Sequence, residues 1–402
     1  MSKIKRIVER IIESILTLSG IITCVIMLLI VLFLFKEGVG VFGSPSVEKG
    51  YSLYINSHNQ ITDLTSQDIK HIFDSDITNW EQIGGNNIDI QLFRFEEIFD
   101  LYDEEEFGED YELLPDKLSD IITEQDGIIA YLPDQFAPNL TAGIKKIPIK
   151  NISLKDFFLG KEWIPTATPS PLFGVIPLIL GTLLVSIVAI LIALPLGLGV
   201  AIYLSELAGN HAPKFLKPTI ELLAGIPSVV YGFFGLVVLV PIVQDQFGLA
   251  VGETAFTGSL LLAIMALPTI ISVAEDAMRN TPRSVREASL ALGATKWQTI
   301  YKVVIPYSAS GISAAVVLGI GRAIGETMAV LMVTGNAAVI PNSLFEPIRT
   351  IPATIAAELG EAPSDSAHYQ SLFLLGCILF IITMLISLTS EMISNRNPHK
   401  EI

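Results

Sequence analysis

Asp276-Ala-Met-Arg-Asn-Thr-Pro-Arg-Ser-Val-Arg-Glu287-Ala-Ser-Leu-Ala-Leu-Gly293-Ala-Thr-Lys-Trp297 is a polar, cationic stretch set between two long apolar runs. Thr281-Pro282 reads as a helix start, with Pro at the first helical position. Ala288, Ala291 and Leu292 then share one face at helical spacing. Gly293 permits a sharp exit from that helix, and Pro306 marks where the next apolar run begins. A short helix with one small-residue face, held just outside the bilayer, suits insertion into a groove on a partner protein. The alternative is an amphipathic helix resting on lipid headgroups alone.

The flanking runs are what place this stretch beside a membrane. A span needs about 20 apolar residues, and six runs qualify: 15–35, 175–204, 222–243, 256–273, 312–332 and 372–390. The first exceeds the length of a signal-peptide core and no A-x-A site follows it, so it reads as a retained helix. The fifth is less clean, because it holds Arg322 and Glu326. Hydrophobic residues make up 51% of the chain and charged residues only 16%, against about 25% charged in a soluble domain.

Basic residues in short loops set the orientation. Lys3, Lys5, Arg6, Arg10, Lys214, Lys217, Arg279, Arg283, Arg286, Lys296, Lys302, Arg396 and Lys400 fall on one side, whereas the short loops opposite carry only Arg349. Both termini are therefore expected in the cytoplasm of a multi-pass plasma-membrane protein. The net charge of −16 is concentrated: residues 36–162 hold 10 Lys/Arg and 25 Asp/Glu, a balance of −15. The expected organisation is a cytoplasmic N-terminus and first span over 1–36, then an acidic extracytoplasmic insert over 37–170. A five-helix core follows over 171–394, with a cytoplasmic loop at about 276–308, and a cytoplasmic tail over 395–402.

The order Glu287-Ala288-Ser289, three residues, Gly293, nine residues, Val303-x-Ile305-Pro306 resembles the signature loop of ABC import permeases. The family pattern has Ala where Ser289 stands, Ile at 303 and Leu at 305. The resemblance implies that this loop is the coupling helix that docks on an ATPase subunit, with Glu287 as polar anchor and Gly293 as turn. No G-x-x-x-x-G-K-[ST] phosphate cradle occurs in the chain. ATP hydrolysis is therefore expected on separate subunits.

Three further stretches, Gly181-Thr-Leu-Leu-Val-Ser186, Glu221 to Gly235 and Gly319-Ile-Gly-Arg-Ala-Ile-Gly-Glu-Thr-Met-Ala-Val330, resemble phosphate-specific permeases of the PstC type. So does Thr354-Ile-Ala-Ala-Glu-Leu-Gly-Glu-Ala-Pro363. The resemblance covers about 157–390 and implies six transmembrane helices in the ABC type I importer permease fold. Arg322 and Glu326 are four apart and are expected on one helix face. Each costs about 2.5–3.5 kcal/mol at mid-bilayer, so the pair reads either as a substrate-path element or as a structural interhelix ion pair. In the first case Arg322 meets an oxyanion, Glu326 holds Arg322 between turnovers, and Thr327 lines the same path. Gly319, Gly321 and Gly325 would either admit a close neighbouring helix or give local flexibility for gating. Pro195, Pro227 and Pro268 are expected to break their helices.

The insert reads as mixed α/β, with strands at 51–55 and 128–130 and a helix at 65–73 capped by Thr65 with Asp68 at the third position. Leu64 to Phe73, Ile77 to Gly85 and Asp126 to Pro133 resemble one lobe of a phosphate-binding protein. Where that receptor's phosphate hook should lie, this chain has Arg94 and a run of carboxylates from Glu96 to Glu106. These repel anions. The insert is expected to have lost phosphate binding and either docks the true receptor, gates the entrance, or only folds.

The sequence thus reads as a mainly α, polytopic membrane protein with an α/β insert between helices 1 and 2. It is expected to act as the permease subunit of an ATP-driven phosphate importer. The expected partners are two ATPase subunits, a sister permease, an extracytoplasmic phosphate-binding protein, inorganic phosphate and membrane lipid, with no nucleic acid. A permease for molybdate or tungstate, and a membrane-anchored sensor, are the alternatives. No catalytic set, cofactor or metal site is expected in this chain; its five histidines show no ligand spacing.

Overall fold

The first run carries no charge and only small polar residues such as Thr17, Ser19 and Thr23 among its Leu, Ile and Val, and it lies within one helix, α1 (Lys3–Val39), whose apolar window has no buried residue. A helix apolar on every side is a membrane element. The computed structural model describes residues 3–139, 143–209 and 211–395. The basic residues Arg396 and Lys400 lie outside this set. The chain forms two compact units. One comprises Val39–Val175 with Pro363–Ser371, and the other comprises everything else.

In the first unit, β1 (Tyr51–Asn56) is followed by α2 (Ser66–Phe73), β2 (Gln91–Arg94) and α3 (Leu114–Glu124). The unit continues with β3 (Ile128–Pro133) and β4 (Ile144–Lys146). The sheet order is β2-β3-β1-β4, with β2 and β3 parallel and the other pairs antiparallel. Side chains alternate between two cores. Leu53, Ile55 and Ile129 pack with Ile69, Ile72 and Trp80, whereas Tyr54, Ile128 and Leu132 pack with Phe107, Leu118 and Ile122. β1 is buried on both faces, because helices cover both. Thr65 caps α2 as expected: its Oγ1 accepts the Asp68 N–H at 3.2 Å, and Asp68 accepts the Thr65 N–H at 3.0 Å. The acidic run forms short helical turns that bury Ile98 and Phe107 and leave Glu96, Glu97, Glu104 and Glu105 exposed. Burial, with the Glu48 carboxylate as acceptor at 3.1 Å, pushes the Tyr131 phenol far above its ordinary value.

The second unit is helical. After α1 come α4 (Ile176–Ile202), α5 (Ala212–Ala224), α6 (Ser228–Phe234) and α7 (Val240–Phe247), the last two joined through a π turn at Gly235–Leu239. Then follow α8 (Ala255–Arg279), α9 (Arg283–Ala291) and α10 (Lys296–Thr299). The chain ends with α11 (Ile305–Tyr307), α12 (Ala309–Gly325), α13 (Met328–Val333), α14 (Ile351–Glu358) and α15 (Ala367–Asn395). Among the described residues, five helical stretches are long and apolar enough to cross a membrane, or six if the bent pair Lys296–Tyr307 and Ala309–Gly325 counts as one.

α8 is the central helix, packed on α4 and α12 around Leu261, Leu262, Ala266 and Ile270. Ile270 is gripped by two glycines. A Cβ on Gly197 of α4 would meet it at 2.8 Å, and one on Gly319 of α12 at 2.9 Å. Gly319 therefore does admit a close neighbour. Gly321 and Gly325 face open space and do not.

Three expectations about the spans are corrected. The third span begins at Ser228, not at 222. Gly225-Ile226-Pro227 stops α5 first, because Pro227 lacks an N–H and forces the residue before it away from helix. Pro195 and Pro268 lie inside α4 and α8, and neither interrupts its helix. The fifth span is not one helix over 312–332. It bends by 71° at Ser308 and stops again at Gly325, where Glu326 turns extended (φ −71°, ψ 127°) before α13 begins. Glycine is a poor helix former, and the β-branched Thr327 after it adds little in favour of continuing.

Candidate functional site

The signature loop builds a short helix and an abrupt stop. Pro282 takes an extended conformation and precedes α9 as its cap position, one residue outside the first-turn place expected of it. α9 ends at Ala291 with Leu292 as its cap, and Gly293 follows with φ +87°, in the left-handed region that only glycine occupies at little cost. The Gly293 N–H donates to the Leu290 carbonyl at 3.0 Å and the Ala294 N–H to the Ser289 carbonyl at 3.2 Å, closing the C-terminus. Glu287, Ala288, Ala291 and Leu292 are exposed, Leu292 at 90%. That unpartnered mixed face is what a docking helix presents.

Beneath the exposed face is a clamp that local pattern did not reveal. Arg286 reaches Glu206, just beyond α4, in a two-point fork: Nε to Oε2 at 3.2 Å and Nη2 to Oε1 at 2.7 Å. The same guanidinium donates to the carbonyls of Thr281 and Met278. The Glu206 side chain is only 8% exposed. Ser289, which departs from the family pattern, shares a hydrogen bond with Thr299 Oγ1 at 3.0 Å. Replacing Ser289 by Ala should therefore cost about 1 kcal/mol in stability and leave transport within about twofold; thermal melting and an uptake assay on the assembled transporter check both. A second charge group ties α5 to α8: Lys217 bonds Glu275 at 2.6 Å and Asp276 at 2.8 Å. Those carboxylates, Asp276 foremost, raise the Lys217 ammonium above its ordinary value. Pro306 sits in α11, directly after a π turn at Ile300–Val304 that absorbs its missing N–H ahead of the 71° bend.

Arg322 lies in the last turn of α12, half-buried, and its Nε is buried with no hydrogen-bond partner. Among the described residues neither Arg322 nor Glu326 forms an ion pair. The expected pairing fails because α12 ends at Gly325, so a four-residue spacing no longer means a shared face. Tyr231 of α6 lies within electrostatic range of Arg322, and its hydroxyl donates to the Leu223 carbonyl at 2.8 Å. Thr327 and Gly325, at the break, line a cavity of about 540 Å³ with Pro352, Ile355 and Ala356 of α14. The break thus brings a guanidinium without a countercharge, a free carboxylate and a hydroxyl to one interrupted stretch of a membrane helix.

Residues 193–396 match the family described as the binding-protein-dependent transport system inner membrane component. The chain belongs to this family. Three relatives narrow the kind. The Bacillus subtilis protein named "Probable ABC transporter permease protein YqgH" is 42% identical over 254 residues, covering 63% of this chain and 82% of that one. The phosphate transport system permease PstC of Mesorhizobium japonicum is 42% identical over 249 residues (57% and 75%). PstC of Pasteurella multocida is 37% identical over 264 residues (61% and 81%). A solved structure of the methionine ABC transporter MetNI, inward facing, aligns over 55% of this chain and 94% of that chain at 20% identity and TM-score 0.44. The protein is thus a PstC-type, multi-pass permease subunit of an ABC importer, with five to six apolar helices.

Proposed function

We propose that this permease carries inorganic phosphate through a path that includes Arg322, Glu326 and Thr327, driven by two separate ATPase subunits, one of which docks on the loop of Glu287, Ala288, Ser289, Gly293 and Pro306. The observation that carries the proposal is Arg322: a guanidinium with a buried, unbonded Nε at the broken end of an apolar helix. Phosphate crossing lipid needs a countercharge, and guanidinium meets its oxygens in a two-point fork. The names of the PstC relatives support phosphate over other oxyanions. A sister permease completes the path, and an extracytoplasmic phosphate-binding protein supplies it. The termini and α9 face the cytoplasm and the acidic unit faces outward, which is the orientation the basic loops favour. The acidic unit is a degenerate receptor lobe that docks the true receptor; its carboxylates exclude it as a phosphate site. The chain holds no cofactor of its own.

The test is uptake by liposomes containing the assembled importer and its receptor, supplied with radiolabelled phosphate or molybdate. Phosphate should accumulate with ATP and molybdate should not; the reverse would assign another oxyanion. Deleting residues 45–160 should reduce transport without abolishing its ATP dependence. Complete loss in a correctly assembled complex would favour a sensor whose function lies in the outward unit.

A further inference from the structure

We infer that the short helix Leu154–Leu159 of the acidic unit rests on the membrane surface and seats that unit on lipid. The helix buries Phe157 completely yet leaves Leu154, Phe158 and Leu159 exposed, at 61%, 41% and 60%. Leu154 and Phe158 are four apart and share one face. Ile164, on the short strand that follows, is also exposed. Lys155 and Lys161 stand among these side chains and are exposed too. A soluble surface scatters its large apolar residues singly, whereas an interfacial segment combines apolar side chains with Lys or Arg that reach the headgroups.

Chain connectivity decides what covers this face, because the helix is fastened to three places where the unit runs into apolar spans. α1 ends at Val39, and the Phe42 ring just beyond it packs edge-on against the Phe157 ring, centroids 5.9 Å apart. At about 1.5–2 Å per helical residue, Phe42 stands within about 12 Å of the level of Phe35, where the first apolar run stops. The Ser44 carbonyl accepts the Ile152 N–H at 3.1 Å, two residues before the helix. Ser44 Oγ donates to Gln370 Oε1 at 3.0 Å, two residues before the last apolar run begins. The Phe157 carbonyl accepts the Val175 N–H at 3.0 Å, and α4 starts at the next residue, Ile176. Gly160 and Gly174 pass so closely that a Cβ on Gly160 would meet the Gly174 Cα at 2.6 Å.

Three junctions with membrane helices thus converge on one short helix, which brings its exposed apolar side chains to headgroup level. A free helix of six residues buries too little apolar area to stay on a bilayer. Attachment to embedded spans makes the contact intramolecular, so a few apolar side chains suffice. The contact depends on the neighbouring spans and not on the ion carried. Lys155 and Leu159 share a cleft with Thr65 and Lys70 of the α2 region, and α2 packs on one face of the sheet. The carboxylate-rich turns bury Ile98 and Phe107 on the other face. A lipid contact at Leu154–Leu159 therefore leaves those turns open to a protein partner.

The experiment uses the assembled importer with its ATPases and receptor in nanodiscs of phosphatidylcholine and phosphatidylglycerol. The photoreactive residue p-benzoylphenylalanine replaces Leu154 or Phe158 or, as a reference, Leu101, which is 59% exposed among the carboxylate-rich turns. After illumination, mass spectrometry of this chain separates lipid adducts from receptor adducts. Lipid adducts at Leu154 and Phe158 should exceed those at Leu101 by about fivefold or more. Adding Leu159→Ser and Ile164→Ser to the probe at Phe158 should lower its lipid adduct by about threefold or more, because less apolar area holds the helix down. Both replaced residues are exposed, so the melting temperature should stay that of the parent. Receptor adducts at Leu154 and Phe158 in place of lipid adducts would overturn the inference and assign this face to docking. Lipid yields there no higher than at Leu101 would overturn it as well, leaving the face to solvent.

Discussion

Arg322→Gln is expected to reduce phosphate uptake by about 100-fold or more while the complex assembles and melts as the parent does. The loss follows from what the guanidinium has around it. No carboxylate pairs with it among the described residues, and its Nε is buried without a partner. Removing it therefore breaks no protein ion pair, so stability should change little. A transported phosphate, in contrast, loses a charge-assisted fork. A 100-fold change corresponds to about 2.7 kcal/mol, within reach of losing one or two such bonds. Glu326→Gln serves as the companion measurement. If Glu326 holds Arg322 between turnovers and does not meet the anion, its neutralisation alters transport less than loss of Arg322 does. Wild-type uptake by Arg322→Gln would assign that residue a purely structural part and remove the central support of the proposed path.

The second large effect concerns the loop. Arg286→Ala is expected to leave ATP hydrolysis measurable but to lower ATP-driven uptake by about tenfold or more. The substitution strands Glu206, whose side chain is nearly buried, and takes a donor from the Thr281 and Met278 carbonyls. Removing one partner of a buried pair costs about 3–5 kcal/mol. The bonds lost are those that tie α9 to the end of α4, so the variant loosens α9 from that helix. Glu206→Gln combined with Arg286→Ala should recover part of the stability, because no buried charge is left alone, but not the coupling. Uptake and hydrolysis measured on the same liposomes separate the two outcomes. If both fall together in the single variant, the clamp acts on folding and not on coupling.

How the loop and the path could be read differs for a physical reason. Gly293 was legible because one backbone position there needs positive φ, and the sequence places a glycine at it. The start of α9 was legible to within one residue, from Pro282. The Arg286–Glu206 clamp was not legible, because it joins residues 80 apart, and no periodicity links them. Arg322 and Glu326 misled for a related reason. Their spacing implied a shared face only so long as the helix continued, and Gly325 weakens a helix without by itself fixing where it stops. Pro195 and Pro268 show the converse. Proline signals a break, yet packing of α4 and α8 in the core keeps both helices whole.

Local chemistry by itself determined that this chain crosses a membrane several times, that an acidic α/β unit follows its first span, and that a short helix with a glycine stop lies between two spans. These depend on apolar run length, strand alternation, charge distribution and single-residue backbone preference, each carried by neighbouring residues. Tertiary structure alone decided where the fifth span bends and stops, which charges pair, and that Arg322 has no ion-pair partner among the described residues. Those outcomes depend on groups brought together from distant parts of the chain, and a buried charge takes its partner from space, not from sequence.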